Sequence, residues 1–468
     1  MRRPLRRHGA AGLYCGVIGN LVNAMEKTRM NKTIIGKAAR TAAFAAAASA
    51  AALLGGQAAA KDTIKVGVVA FLTGPAAGPF GVPGKNGAEL VIDAINSGTL
   101  PAPYNTKGFA GATLDPVYTD EAGGNSKQVA EYRNLVQKQN VDAIVGYISS
   151  GSCMAMAPVA DELQMLTVMA VCGTPRLFEE KPRSHVFRTQ ANAVGDSIAA
   201  ARYVTETMPE VDTYTGINQN YAWGQDSWKF FDLAMQQLNP NSKASSNPQF
   251  PKIFSGQYGA EISTLSLDSA KMVHSSFWDG DIEAFVLQAL VRGFFNDKVF
   301  VSVVGASAVD SLGKKFPDGI VMGTRGEYGL LTRNDRSPLN AWFVDEYKKR
   351  YGVYPLGPSY QYAKAMLFLK LGMDKAAEMA GGFPTQDQVI AAMKGMEFKS
   401  FGGDVSMALG EGHQAVHPVG YGVTKWNKEK GEPEALNVKF YGPDCINPPA
   451  GVLAADWVAD GMPGAKCD

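Results

Sequence analysis

The stretch that decides the fold is Ile64–Asn96, IKVGVVAFLTGPAAGPFGVPGKNGAELVIDAIN. It opens with an apolar run, Ile64 to Leu72, that breaks at Thr73-Gly74-Pro75. A loop with glycines at 74, 78, 81 and 84 follows. From about Lys85 the residues Ala88, Val91, Ile92 and Ile95 recur at helical spacing. Strand, glycine-rich loop and helix in this order open a βαβ unit. Sheets of such units bind ligands beyond the carboxyl ends of their strands, so the Thr73–Gly84 loop is a first candidate piece of a site. The loop matches neither the dinucleotide pattern GxGxxG nor the P-loop, which argues against both.

The same rhythm continues. Ala112–Tyr118 reads as a strand, and Asn125–Asn140 as a helix with Val129, Tyr132, Leu135 and Val136 on one face. Asp142–Ile148 is a strand opening onto Ser149-Ser150-Gly151-Ser152, Ala155–Leu163 a helix, and Met165–Val171 a strand closed by Cys172-Gly173-Thr174-Pro175. Repeats of this kind favour a mostly parallel sheet covered by helices. Val186–Thr189 reads as a crossover into a second α/β block over about 190–325. There strands are expected at Val211–Asn218, Lys252–Gln257, Met272–Phe277 and Val299–Val304, and helices at Asn192–Thr207, Gln225–Leu238, Glu261–Lys271 and Ile282–Phe295. Val321–Thr324 reads as the return crossing. Helices Pro338–Tyr351, Ser359–Leu371 and Thr385–Lys394 precede a final strand at Val419–Trp426, and an irregular tail begins at Tyr441.

The chain of 468 residues is long enough for two or three domains, and 46% apolar with 19% charged residues fits a folded globular protein. Residues 1–60 carry nine Lys/Arg and one acid, Glu26, so the overall +1 leaves the remainder at −7. An acidic body gives no reason to expect nucleic-acid binding. Residues 1–60 read as a signal segment: Lys32, Lys37 and Arg40 precede the alanine-rich run Thr41–Leu54, and Ala58-Ala59-Ala60 supplies a cleavage site. A start at Met30 would give a leader of ordinary length. The run falls short of the roughly twenty apolar residues of a membrane span. Export to the periplasm is the expectation. Four cysteines then remain, Cys153, Cys172, Cys445 and Cys467, with three full pairings open. Cys445–Cys467 across the Pro- and Gly-rich tail is the preferred pair, and Cys153–Cys172 would bridge neighbouring loops. The absence of CxxC or a Cys/His cluster argues against a metal site, and no cofactor is expected.

In order and spacing these motifs resemble the periplasmic binding proteins of the branched-chain amino acid (Leu/Ile/Val-binding) type, which serve ABC importers. The resemblance rests on Thr73-Gly74, Gly87-Ala88 and Ile95-Asn96, on Val117–Asp120 followed by Lys127-Gln128-Val129, and on Val145-Gly146 before the serines. It continues with Phe187-Arg188-Thr189, Tyr221–Gly224, and Phe401-Gly402-Gly403 to Gln414. It implies an α/β, type I periplasmic binding protein fold: two Rossmann-like lobes joined by a three-crossing hinge that closes on a solute. Lobe 1 would comprise 61–188 plus 326–415, lobe 2 would comprise 189–325 plus 416–440, and 441–468 would form the tail. It implies a monomer, not an enzyme, that takes a small-molecule solute to a membrane ABC permease complex. A ligand-sensing receptor of the same fold is the alternative; a small-molecule hydrolase is a weaker one, since no GxSxG elbow surrounds Ser150.

The residues that the resemblance places in the cleft are as follows. Ser150 or Ser152, with Cys172, Gly173 and Thr174, would hold the ligand's carboxylate and amino group. Gly173 stands where amino-acid binders usually carry threonine. Phe80 aligns with an aromatic laid against the ligand, and Trp278 with a ligand-contacting tyrosine. Tyr221 and Trp223 come from the facing lobe. Ser307 stands where such binders carry the acid that pairs with the ammonium, so Asp279 or Asp281 becomes the candidate replacement. Without a carboxylate a buried ammonium is costly. The solute is therefore an amino acid, an amide or urea-like compound, or a small carboxylate.

Overall fold

The computed structural model describes residues 61–326, 329–333, 335 and 337–467, and of Asp279 the backbone alone. The leader expected over residues 1–60 lies outside the described residues. In chain order the strands are β1 (Thr63–Ala70), β2 (Thr113–Asp120), β3 (Ala143–Gly146), β4 (Thr167–Met169), β5 (Val186–Arg188), β6 (Thr213–Ile217), β7 (Lys243–Ala244) and β8 (Met272–Ser275). They continue with β9 (Val299–Ser302), β10 (Val321–Gly323), β11 (Glu397–Lys399), β12 (Asp404–Leu409), β13 (Gln414–Val416), β14 (Val419–Asn427) and β15 (Glu432–Tyr441).

They form two sheets, ordered β11-β12-β13-β5-β4-β3-β1-β2 and β15-β14-β10-β9-β8-β6-β7. β1 to β5 run parallel, as do β6 to β10, and the late strands add antiparallel edges. The chain therefore passes between sheets three times: after β5, after β10, and between β13 and β14. Each sheet with its helices makes one lobe.

The opening stretch becomes β1, a wide helical turn Ala77–Gly81, and the helix Val82–Ser97. Pro83 suits the helix's first turn, and Gly98 ends it in the left-handed conformation at φ 71°. Ala88, Val91, Ile92 and Ile95 are all buried, as their spacing predicts. This face lies against the 24-residue helix Gly357–Ala380. The approach is close at Gly87, where a Cβ would stand 2.1 Å from the Ser359 carbonyl oxygen.

The structure departs from the sequence reading in several places. Val186–Arg188 and Val321–Gly323, read as crossings, are interior strands, and the crossings follow them. Lys252–Gln257 is not a strand: Phe254 and Gly256 have φ 60° and 64°, which no strand tolerates. The short β7 takes that edge instead. β11 and β15 were not expected. The tail holds two short helices, Pro443–Ile446 and Ala454–Ala459, whose Ile446, Trp457 and Val458 join the core of the second lobe. Disulfides Cys153–Cys172 and Cys445–Cys467 are both present.

His274, His413 and His417 are all buried. His413 stacks on Phe187 at 4.2 Å, and its Nδ1 pairs with the Val186 carbonyl oxygen at 2.9 Å. His417 Nε2 accepts from the Ala191 N–H at 3.0 Å. His274 lies in β8 against Phe231, with ring centroids 4.3 Å apart and neither ring nitrogen hydrogen-bonded among the described residues. Burial brings its pKa from 6.5 down to about 3. The unfolded chain takes up this proton near 6.5 and the native state only near 3. Stability from this group is therefore full above pH 6.5 and lost as pH falls through that window, by up to about 5 kcal/mol. We expect a melting temperature that drops between pH 6.5 and 4, with His274→Leu flattening that part of the profile. An identical profile in the variant would exclude His274 as the cause.

Candidate functional site

The carboxyl ends of β3 and β4 in one lobe face those of β6 and β8 in the other. β3 passes directly into the helix Ser150–Glu162, which starts five residues before the sequence suggests. The reason is the cap. Ser149 is extended, and its hydroxyl accepts from the Gly151 N–H at 3.2 Å. Ser150 is thereby freed for another task. Its Oγ accepts from the N–H groups of Gly173 and Thr174, both at 3.2 Å, tying the end of β3 to the end of β4. The Cys153–Cys172 disulfide spans the same two segments.

Of the residues expected in the cleft, Phe80, Ser150, Gly173, Tyr221, Trp223 and Trp278 line one narrow cavity of about 10 Å³. That is far below the roughly 300–1,000 Å³ common for small-molecule pockets, so the lobes stand close together. Phe80 of the first lobe meets Trp278 of the second edge-on, with centroids 5.0 Å apart. Phe71 and Phe254 flank the same indole at 6.4 and 5.9 Å. Two indole N–H groups fix the aromatic wall. Trp278 Nε1 donates to the Tyr221 hydroxyl at 2.7 Å, and Trp223 Nε1 to the Ser276 carbonyl at 2.9 Å.

Gly173 is required by this wall. A Cβ there would lie 2.3 Å from Trp223 Cζ3 and 2.8 Å from Arg325 Nη2. The space that a threonine side chain would fill is thus occupied by an indole from the opposite lobe.

Sequence reasoning missed Ile148, Val171, Val304 and, above all, Arg325, which also line the cavity. The Arg325 guanidinium lies 4.5 Å from the Trp223 ring centroid. It is buried, donates from Nε to Asp196 Oδ2 at 2.9 Å, and reaches the carbonyls of Val171 and Ala191 at 2.6 and 2.7 Å. Burial pushes the Asp196 carboxyl up, against the pull of Arg325. The signal available in sequence was an arginine directly after the segment Val321–Thr324, read as the return crossing.

The other expected residues sit elsewhere. Cys172 is buried with its sulfur bonded to Cys153, so it does not line the cavity as expected. Ser152 turns to Glu121. Thr174 Oγ1 donates to Asp226 Oδ2 across the lobes at 2.6 Å, beside the Arg176–Asp226 ion pair at 2.7 Å. Ser307 is 4% exposed, in the first turn of the helix Ala306–Leu312, with no partner for its hydroxyl among the described residues. That helix packs against the Ala77–Gly81 turn. Asp281 Oδ2 accepts from Gln219 Nε2 and the Phe254 N–H, both at 2.8 Å, and lies outside the cavity lining. The Asp279 side chain lies outside the described residues.

We expect Gly173→Ala to keep both lobes folded but hold them apart, since the methyl group meets an indole from the opposite lobe. Scattering of the variant should show a larger radius than the wild type at a melting temperature within a few degrees. Equal radii would show that Trp223 moves aside instead.

The family model described as periplasmic binding protein matches residues 63–432. A Leu/Ile/Val-binding protein homolog of Brucella suis is 25% identical over 365 residues, covering 76% of this chain and 86% of that protein. The leucine-specific-binding protein of Salmonella typhimurium is 22% identical over 62% of this chain and 73% of its own length. Among solved structures, a solute binding protein of an ABC transporter from Rhodopseudomonas palustris, in complex with 3,4-dihydroxybenzoic acid, superposes with a TM-score of 0.70 at 19% identity. It covers 82% of this chain and 98% of that one. A leucine binding protein from Thermotoga maritima gives 0.65 at 18% identity, over 80% and 98%.

Proposed function

The chain belongs to the periplasmic binding protein family, as an extracytoplasmic solute-binding component of an ABC importer, and we propose that its solute is a small carboxylate without an ammonium group, aromatic acids first. The observation that carries this is at Ser150. Its hydroxyl oxygen already accepts two N–H groups, and no protein acceptor takes its proton among the described residues. With both lone pairs used, Ser150 is left to donate, so its partner is an acceptor such as a carboxylate oxygen. The adjoining helix N-terminus favours the same sign of charge.

The rest of the lining supports the second half of the reading. Among the described lining residues there is no Asp or Glu, and the charged group present is Arg325. An ammonium would be buried without a carboxylate, at a cost of several kcal/mol. Phe80, Trp223 and Trp278 offer faces and edges to a flat ring. The Rhodopseudomonas palustris neighbours crystallised with dihydroxybenzoate and 4-hydroxybenzoate point to the same class. The relatives named for leucine favour the rival solute, an amino acid. In either case the protein works as a monomer that closes on one solute and hands it to a membrane permease.

Calorimetry with benzoate, 4-hydroxybenzoate, cyclohexanecarboxylate, benzamide, leucine and phenylalanine separates the two. We expect binding of the acids and none of the zwitterions, and a loss of roughly ten- to a hundredfold in Ser150→Ala, the ordinary worth of a hydrogen bond to a charged group. Leucine binding without benzoate binding would overturn the assignment.

A further inference from the structure

Glu121 follows β2 and is 0% exposed. Its carboxylate accepts from the Ile148 N–H at 2.9 Å and the Ser149 N–H at 3.0 Å, and the Ser152 hydroxyl bonds to it as well. These groups surround the point where β3 becomes the helix Ser150–Glu162. Ile148 and Ser150 line the cavity. A buried carboxyl therefore sits behind the N-terminal turn that would attract the solute's own carboxylate. Two carboxylates at one helix N-terminus cannot both stay ionised without cost.

We infer that Glu121 couples carboxylate binding to proton uptake, admitting an anionic solute in its neutral form and opposing it when ionised. The inference rests on the carboxylate reading of the solute and deepens it. Neutral Glu121 keeps a carbonyl oxygen for the Ile148 and Ser149 N–H groups, so the turn holds its shape while the repulsion disappears. Glu121 is thus a specificity-determining residue that acts through its charge.

The groups facing it leave it as the one of this cluster that titrates near neutrality. Asp120, next to it in the chain, is partly buried, but hydrogen bonds from Thr73, Ala122 and Leu72 hold it below the usual range, so it stays ionised. Tyr147, beyond β3, and Tyr362, on the helix Gly357–Ala380, are pushed well up by burial and stay neutral. Burial brings Glu121 itself up to about 7, against its hydrogen bonds from Ser149 and Ile148. A bound anion raises it further. Affinity is then greatest on the acid side and falls as pH rises through 7 and 8, since ordinary carboxylate solutes are ionised throughout.

The test is calorimetry at pH 6, 7 and 8 with benzoate and its uncharged counterpart benzamide, on wild type and Glu121→Gln, in two buffers of different ionisation enthalpy. For a rise of about one pKa unit, wild-type affinity for benzoate should be roughly fivefold weaker at pH 8 than at pH 6, with about half a proton taken up from buffer between pH 7 and 8. Glu121→Gln, which retains the amide oxygen as acceptor, should bind benzoate at pH 8 at least as tightly as wild type, with a flat profile. Any benzamide binding should be flat in both. Benzoate binding that is pH-independent in wild type, or equally pH-dependent in the variant, would overturn the inference and leave the solute class intact. Absence of benzoate and other acid binding would overturn the solute class and the inference together. The wild-type proton uptake reads out the coupling even if the variant folds poorly.

Discussion

One buried guanidinium holds the places where the chain changes lobes. Arg325 sits just after β10, at the second crossing. It pairs with Asp196 and reaches the carbonyl of Ala191, both from the first crossing region, and the carbonyl of Val171 beyond β4. Its own carbonyl accepts from the Gln190 side chain, which Lys364 Nζ also holds at 2.9 Å. Gln414 Nε2 donates to the Gln190 carbonyl at 2.9 Å, and His417 takes the Ala191 N–H, bringing in the third crossing. A buried ion pair of this kind adds little over a well-packed apolar core, but removing one partner is severe because the other is left charged in low dielectric. The hinge is thus specified by geometry more than by net energy.

The same residue faces the cavity. Arg325 stacks on Trp223, and Trp223 packs on Gly173 of the facing lobe. Hinge and site therefore share a side chain, and a rotation at the crossings must move the aromatic wall with it. The Thr174–Asp226 and Arg176–Asp226 contacts bridge the lobes at a second place. Both contacts originate in the segment that follows β4, so the loop expected to recognise solute also sets how far the lobes can close.

Much of the architecture was legible because buried parallel strands announce themselves as apolar runs. The spacing of Ala88, Val91, Ile92 and Ile95 located the first helix, and the turns after β3, β6 and β8 located Ser150, Tyr221 and Trp278. The limits have physical causes. β15 is half-exposed and antiparallel, so its sequence EPEALNVKFY carries no continuous apolar run. The helix after β3 starts on serines and a glycine, which read as loop until Ser149 is seen to cap it. Arg325 was illegible because Asp196, Ala191 and Val171 lie more than a hundred residues away in sequence. Glu121 belongs to no motif in the sequence, and only the fold shows it beneath the Ile148–Ser149 turn.

Two departures from the amino-acid binders, at Gly173 and Ser307, gain a common logic from the geometry. A threonine at 173 would offer a hydroxyl near a ligand's polar head, but the indole of Trp223 fills that volume. An acid at 307 would balance an ammonium, but a serine stands there, and Asp281 is engaged by Gln219 and Phe254. Both changes subtract groups suited to a zwitterion. What remains is an aromatic wall, a donor hydroxyl at Ser150 and the positive field of Arg325. On the proposed reading these changes belong together. Once the ammonium anchor is absent, the apolar ring face becomes the main source of binding energy, and the serine turn and arginine orient the acid.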